Sequence, residues 1–390
     1  MTRTLSCHPS QKLMLTSFAP LLTCTSLQII QRNSPIFIPE PSLDTTRFKL
    51  ILITPRPYYV HLPGLIRTVV TAEGALEKQV LMPYANSLKG KGEVKVASVV
   101  SFRSTKEGGE VELSTGERLP YSVLVLAPGA IWEGPLNLPE EPAAVLEHIN
   151  GWRAKIENAN SILLVGGGAV GIEFAGEIKD FFPSKSVTLA HGQAKLINDT
   201  YPDKYRNKLL ARVNKTGTEV VLNEYVDATE PSEDGTVTTR SGKKLKADLI
   251  IPSRGGRPNT SVISSSLGAD AVTASGHIKV LPTLQLPDHP RIFAAGDAIE
   301  WKEQKQAGKS TGHATAIAKN ILALLNGGEA STPYKGATEM IVTTVGRTGG
   351  VAYMGFLWGI TFGDGFSAMV KSKTLLVDLM RNSFELGKLE

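Results

Sequence analysis

The chain has 390 residues, 42% of them apolar and 20% charged, with a net charge of +5; it is too long for one ordinary domain and too apolar to be disordered. Two cysteines, Cys7 and Cys24, exclude a disulfide scaffold and a cysteine-rich zinc site, and with no Cys-x-x-Cys there is no dithiol redox centre. The charge is scattered, which argues against nucleic acid as a partner; with no uninterrupted apolar run of about 18 residues to span a membrane, a soluble, cytoplasmic setting is the default expectation.

Residues 1–47 are rich in Ser, Thr and Pro, carry Arg3, Lys12 and Arg32, and have no acid before Glu40. That texture fits a mitochondrial presequence or a poorly packed tail. None of the 37 glycines precedes Gly64, although an even spread would place about six there. From Phe48 the texture changes. Residues 48–53 form an apolar run of strand length, closed by Thr54-Pro55-Arg56-Pro57. Residues 94–102 predict a further strand. Residues 110–113 and 118–119 predict a hairpin across Ser114-Thr115-Gly116-Glu117, and 121–127 a buried strand ending at Pro128-Gly129.

A second unit opens with Ile162-Leu163-Leu164-Val165-Gly166-Gly167-Gly168-Ala169-Val170-Gly171, an apolar strand running into G-x-G-x-x-G. A helix over 170–181 and a strand over 186–190 complete a β-α-β unit with a right-handed crossover. In this context Gly166 permits the tight turn, Gly168 lets the backbone approach a pyrophosphate, and Gly171 allows close helix–strand packing. The helix N-terminus adds free N–H groups for phosphate. The second strand ends in Ala190-His191-Gly192 rather than in the acid that binds the ribose of NAD, so NADPH is allowed beside NADH and His191 stands at the ribose position. Glu173 and Glu177 share one helix face. Strands follow at 219–222, 236–239, 247–252, 277–280 and 291–294, and apolar residues at helical spacing predict a helix over 311–325. The segment 365–386 is basic and amphipathic, suited to packing on the protein itself or to docking on a membrane surface.

Three stretches together resemble a known family. Ser161–Glu177 is similar to the pyridine-nucleotide motif of flavoproteins with two dinucleotide domains, Arg291–Ala298 (R-I-F-A-A-G-D-A) to their second flavin motif, and Val123–Ala130 (V-L-V-L-A-P-G-A) to their interdomain crossing. The nearest resemblance is to apoptosis-inducing-factor-like oxidoreductases of the ferroptosis-suppressor type and their fungal counterparts. It implies an α/β fold of two Rossmann-like domains, the first incomplete, plus a small C-terminal region. Its divisions would be an atypical segment at 1–47, an FAD domain at 48–135 and 255–335, an NAD(P) domain at 136–254, and a C-terminal region at 336–390. It also implies FAD held by Gly296 and Asp297, with Gly129, Pro258 and the backbone at Val100 contributing. Glu173 would lie beside the nicotinamide and flavin, and Lys371 near the flavin. The implied partner is a small electron acceptor such as a quinone, and peripheral membrane or mitochondrial localisation is the alternative to the cytoplasm.

The family's opening strand–G-x-G-x-x-G–helix has no counterpart in 1–47, and Thr54 replaces the acid after the following strand. A replaced first exon or a degenerate motif would give this pattern. The sequence therefore supports an FAD-dependent NAD(P)H oxidoreductase first, and a flavin-deficient NAD(P)-binding protein with a signalling role as the alternative.

Overall fold

The computed structural model describes residues 11–16, 47–84, 88, 92–356 and 358–389. Two parallel sheets organise the chain. The first runs, in spatial order, Gln285–Leu286, His289–Ala294, Val123–Leu126, Gln11–Thr16, Phe48–Thr54 and Gly92–Val96. All neighbours are parallel except the Gln285–Leu286 edge strand. Two of its inner strands, Val123–Leu126 and Phe48–Thr54, are nearly continuous Val, Ile and Leu runs, as burial on both faces requires; Val123, Leu124 and Leu126 have no exposed surface.

One placement departs from the sequence reading. Gln11–Thr16 is the central strand of this sheet, paired with Phe48–Thr54 (Leu13 opposite Leu50) and with Val123–Leu126 (Leu13 opposite Val123). The first unit therefore draws on residues before Phe48, and 1–47 is not wholly a tail. Residues 1–10 and 17–46 lie outside the described residues, as do both cysteines and the presequence reading.

The second sheet runs Glu219–Leu222, Ser186–His191, Ser161–Val165 and Leu249–Pro252, all parallel. The helix Ala169–Phe181 makes the crossover between its two middle strands. The chain passes between the two units twice. The two passages pair as a short antiparallel ladder, Ala130 opposite Pro258 and Ile131 opposite Arg257. The C-terminal region is a three-stranded antiparallel sheet, Met340–Thr344, Gly350–Met354 and Ile360–Phe362, followed by the segment 364–383.

Two further expectations need correction. Residues 94–102 are two strands, Gly92–Val96 and Val99–Thr105. The first pairs in parallel with Phe48–Thr54 and the second antiparallel with Gly108–Leu113, so the backbone must turn at Ala97-Ser98 to change partners. Residues 277–280 form no strand; Ile278 makes only isolated bridges to Val272 and Ile299. The segment 364–383 packs on the protein. Leu375 and Val377 are buried, while Met369 and Leu379 remain exposed.

Candidate active site

The glycine turn adopts the geometry its spacing predicts. Gly166 has φ +123°, and a Cβ there would lie 2.4 Å from the Ser253 carbonyl oxygen. A Cβ on Gly171 would lie 2.0 Å from the Gly166 carbonyl oxygen, so only glycine lets the helix seat against the turn. At Gly168 a Cβ would meet nothing within 4 Å. That open space is the surface over which the backbone faces a cavity of about 700 Å³ lined by Gly166, Gly168, Glu173, His191 and Lys371. A phosphate fits such a cradle.

His191 ends the second strand, as expected, but its first contact is with the turn itself. The Gly167 N–H donates to His191 Nδ1 at 3.0 Å, which places the ring proton on Nε2. Nε2 is buried and has no hydrogen-bond partner among the described residues. Burial holds the imidazole below its ordinary pKa, with the Lys195 carbonyl acting in the opposite direction. The ring is thus a neutral donor beside the cavity, a fit for a ribose hydroxyl or phosphate oxygen. Glu224, whose backbone N–H donates to the His191 carbonyl at 3.0 Å, is an acid at the lining of the same cavity, where its carboxylate accepts from the Ser241 hydroxyl at 2.8 Å.

Glu173 and Lys371, 198 residues apart in sequence, meet at 2.6 Å between Oε1 and Nζ. Glu173 is buried and also accepts the Thr344 N–H at 3.1 Å. Lys371 Nζ donates to the Val342 carbonyl at 3.2 Å. One turn along the same helix, Glu177 receives a bidentate pair from Arg67, at 2.7 Å to Oε2 and 2.8 Å to Oε1. Arg67 also donates to the Ser372 carbonyl at 2.7 Å. The two carboxylates therefore clamp the Ala368–Ser372 segment, a π-helical turn, against the nucleotide-binding helix. Such turns often accompany functional sites because they displace a side chain from helical register.

The implied flavin residues sit on the first sheet's side. Gly296 has φ +77°, and its N–H donates to His313 Nδ1 at 3.1 Å. His313 Nε2 donates to Glu303 at 2.8 Å, and the Tyr334 hydroxyl donates to the other Glu303 oxygen at 2.9 Å. This network fixes the turn that presents Asp297. The Asp297 carboxylate is half-buried and accepts no hydrogen bond from any described residue; burial raises its pKa, while Lys305 and His313 pull it back. An unpartnered carboxylate at that depth fits the hydroxyls of a ribityl chain. Gly129, at φ +66°, accepts from the Asn259 N–H at 3.1 Å beside Pro258 and so joins the two passages between the units. Val100 is the extra residue of a β-bulge between Val99 and Ser101 and is 48% exposed. Gly171, Gly129, Pro258, Val100, Gly296 and Asp297 do not line the cavity that unites the other candidates.

Residues 45–318 match the family model "Pyridine nucleotide-disulphide oxidoreductase". The chain belongs to this family. Family members pair an FAD site with an NAD(P)H site, on the α/β fold described above. Among its relatives is an FAD-dependent oxidoreductase, FVFD30, of Flammulina velutipes, 41% identical over 314 residues, covering 80% of this chain and 98% of that protein. Ferroptosis suppressor protein 1 of Taeniopygia guttata is 28% identical over 335 residues, covering 84% of this chain and 87% of that protein. Among solved structures, the water-forming NADH oxidase from Lactobacillus brevis bound to NADH superposes with TM-score 0.67 at 17% identity, covering 88% of this chain and 75% of that one.

Sequence reasoning missed several residues of the site. Met340, Ile341, Val342 and Leu376 supply an apolar wall, and Tyr201, Arg254 and Glu224 line the cavity from the nucleotide domain. None belongs to a motif. Leu376 reaches the wall through two successive left-handed residues, Leu375 (φ +52°) and Leu376 (φ +61°), a conformation that side-chain periodicity does not signal. Arg67 carries no local signal either, although its partner Glu177 shares a helix face with Glu173.

Proposed function

We propose that this chain oxidises NAD(P)H and passes the electrons, by way of FAD, to a small lipophilic acceptor of the quinone class. The observation that carries the reading is the composition of one cavity. It joins a phosphate-accepting glycine turn, the Glu173–Lys371 pair and an apolar wall of Met340, Ile341, Val342 and Leu376. Bound FAD would supply acceptance of a hydride and onward delivery of two electrons.

The chain's own residues supply placement and protons. The glycine turn and the helix N-terminus hold the dinucleotide phosphates; His191 and Glu224 face its ribose end. Asp297 holds the flavin's ribityl hydroxyls. Glu173 fixes the Lys371 ammonium, whose Nζ has three N–H groups. Two are engaged by Glu173 and the Val342 carbonyl, and the third can donate to an acceptor oxygen as negative charge develops there. Quinone reduction needs two electrons and two protons. The hydride brings both electrons and one proton, and Lys371 delivers the other, recharged from solvent. The sequence has no Cys-x-x-Cys, so a disulfide cycle is not part of the reading.

The test is anaerobic turnover of the FAD-loaded chain with NADPH and a short-tailed quinone. Quinone-dependent loss of NADPH is the expected result. Nucleotide binding without turnover would overturn it and favour the flavin-deficient reading, to which the glycine-free stretch before residue 64 gives support.

A further inference from the structure

The hairpin between Gly350–Met354 and Ile360–Phe362 ends in an unusual tip. Residues 348–363 contain no charged side chain. At the tip Trp358 is 100% exposed and Phe356 48% exposed, with Leu357 between them in sequence. The turn is closed by the Gly359 N–H donating to the Phe356 carbonyl at 3.0 Å, and Trp358 adopts φ +63°. A β-hairpin that spends a left-handed residue to hold an indole in water needs a partner for it.

Beside this apolar tip stands a basic shoulder. The helix Asp203–Asn214 packs on the Gly350–Met354 strand, with the Tyr205 and Tyr353 ring centroids 6.1 Å apart. It carries Lys204, Arg206, Lys208 and Arg212 against one acid, Asp203. Lys204, Lys208 and the C-cap residue Lys215 are exposed. At 100° per residue they fall within about 40° of one another, one stripe along the helix. None of the three forms a salt bridge among the described residues. Lys208 lies at the base of the hairpin, its Nζ 3.3 Å from where a Gly363 Cβ would be.

We propose that this face seats the protein on an anionic lipid surface, with Phe356 and Trp358 in the interfacial layer and Lys204, Lys208 and Lys215 against the headgroups. Tryptophan and phenylalanine favour the bilayer interface, and each lysine near an anionic surface adds attraction that salt screens. An apolar tip flanked by unpaired lysines matches both layers of such a surface; a protein partner or a second copy would have no need of that ordering. The segment 364–383, the sequence's candidate for this role, instead buries Leu375 and Val377 in the protein. The same hairpin connects to the active site: Met340 is 45% exposed, lines the cavity, and lies opposite Met354 next to the tip. A lipid-dissolved acceptor would thus meet the cavity wall where the protein meets the lipid.

The surface stands on exposure and charge, and its test requires no turnover. The full chain is sedimented with vesicles of phosphatidylcholine and phosphatidylserine and with phosphatidylcholine alone. Binding to the anionic vesicles is expected, weakening as salt rises. The double variant F356S/W358S should lose about tenfold or more of that binding. The triple variant K204Q/K208Q/K215Q should lose the salt dependence. NADPH oxidation with a water-soluble acceptor should be unchanged in both, which reports an intact fold. No vesicle binding by the parent chain at low salt, or equal binding by the tip variant, would overturn the proposal. So would a tip variant that changes only the oligomeric state in sedimentation velocity, which would assign the tip to a second copy.

Discussion

Two alanine substitutions three residues apart should have opposite consequences. A methyl group at Gly171 would be built 2.0 Å from the Gly166 carbonyl oxygen, with the Gly166 carbonyl carbon at 3.2 Å. Both neighbours are backbone, so helix and turn must separate by more than 1 Å, about the gap to an ordinary contact. Overpacking of this kind costs about 1–3 kcal/mol. A methyl group at Gly168 meets nothing within 4 Å, and its backbone at φ −77° suits any residue; alanine is a poorer helix N-cap than glycine, which costs about 0.5–1 kcal/mol. The same methyl group occupies the space a pyrophosphate needs. Losing one charge-assisted hydrogen bond there costs roughly 1.5–3 kcal/mol, about a ten- to hundredfold weaker dissociation constant. Calorimetric titration with NADPH and a thermal melt of each variant read the two effects separately. Gly168→Ala should melt only slightly below the parent and bind weakly; Gly171→Ala should melt earlier still. A Gly168→Ala protein that binds NADPH normally would refute the assignment of this turn as the phosphate cradle.

Lys371→Met leaves Glu173 buried with a single backbone donor, so it should destabilise the fold by about 3 kcal/mol in urea unfolding. Adding Glu173→Gln should recover stability but not acceptor turnover; recovery of both would remove Lys371 from the chemistry. His61, fully buried with its Nε2–H donated to the Leu375 carbonyl at 2.6 Å, is held neutral by burial at a pKa of about 4. Its unfolded form binds a proton below about pH 6.5. The contribution is therefore complete above that pH and is lost as pH falls toward 4, by up to about 3 kcal/mol. His61→Gln should flatten the stability profile over that interval, and an unchanged slope would contradict the assignment. Glu224→Gln removes a carboxylate from the ribose end of the cavity and should shift the KM ratio toward NADPH by about fivefold; no change in the NADH-to-NADPH ratio would place the ribose elsewhere.

The parts of the fold legible in the sequence were those with local signals. Ser161–Val165, the glycine turn and the following helix are continuous in sequence, and each glycine's role follows from spacing. The Gly296-Asp297 turn could be placed because an apolar strand precedes it. The strand Gln11–Thr16 was not legible. Its six residues, Gln-Lys-Leu-Met-Leu-Thr, are fewer and more polar than the Phe48–Thr54 run, and no glycine turn follows to mark them. Family resemblance placed Glu173 and Lys371 each near the flavin, but their ion pair was not legible, since nothing local in either residue indicates a partner 198 positions away. The clamp by Arg67 and the apolar wall at Met340 and Leu376 depend on how the C-terminal sheet docks on the nucleotide domain, which is a property of packing alone. Nothing local in the sequence marks Trp358 as exposed; only the hairpin geometry shows that it faces outward.

The central claim is that this chain holds NAD(P)H over the glycine turn and passes its hydride to a bound flavin. The most direct measurement is the flavin absorbance of purified protein reconstituted with FAD and titrated anaerobically with NADPH. The account predicts a yellow protein, bleached stoichiometrically by NADPH and bleached far more slowly in Gly168→Ala. A protein that stays colourless after reconstitution, or a bound flavin that NADPH leaves oxidised, would contradict it.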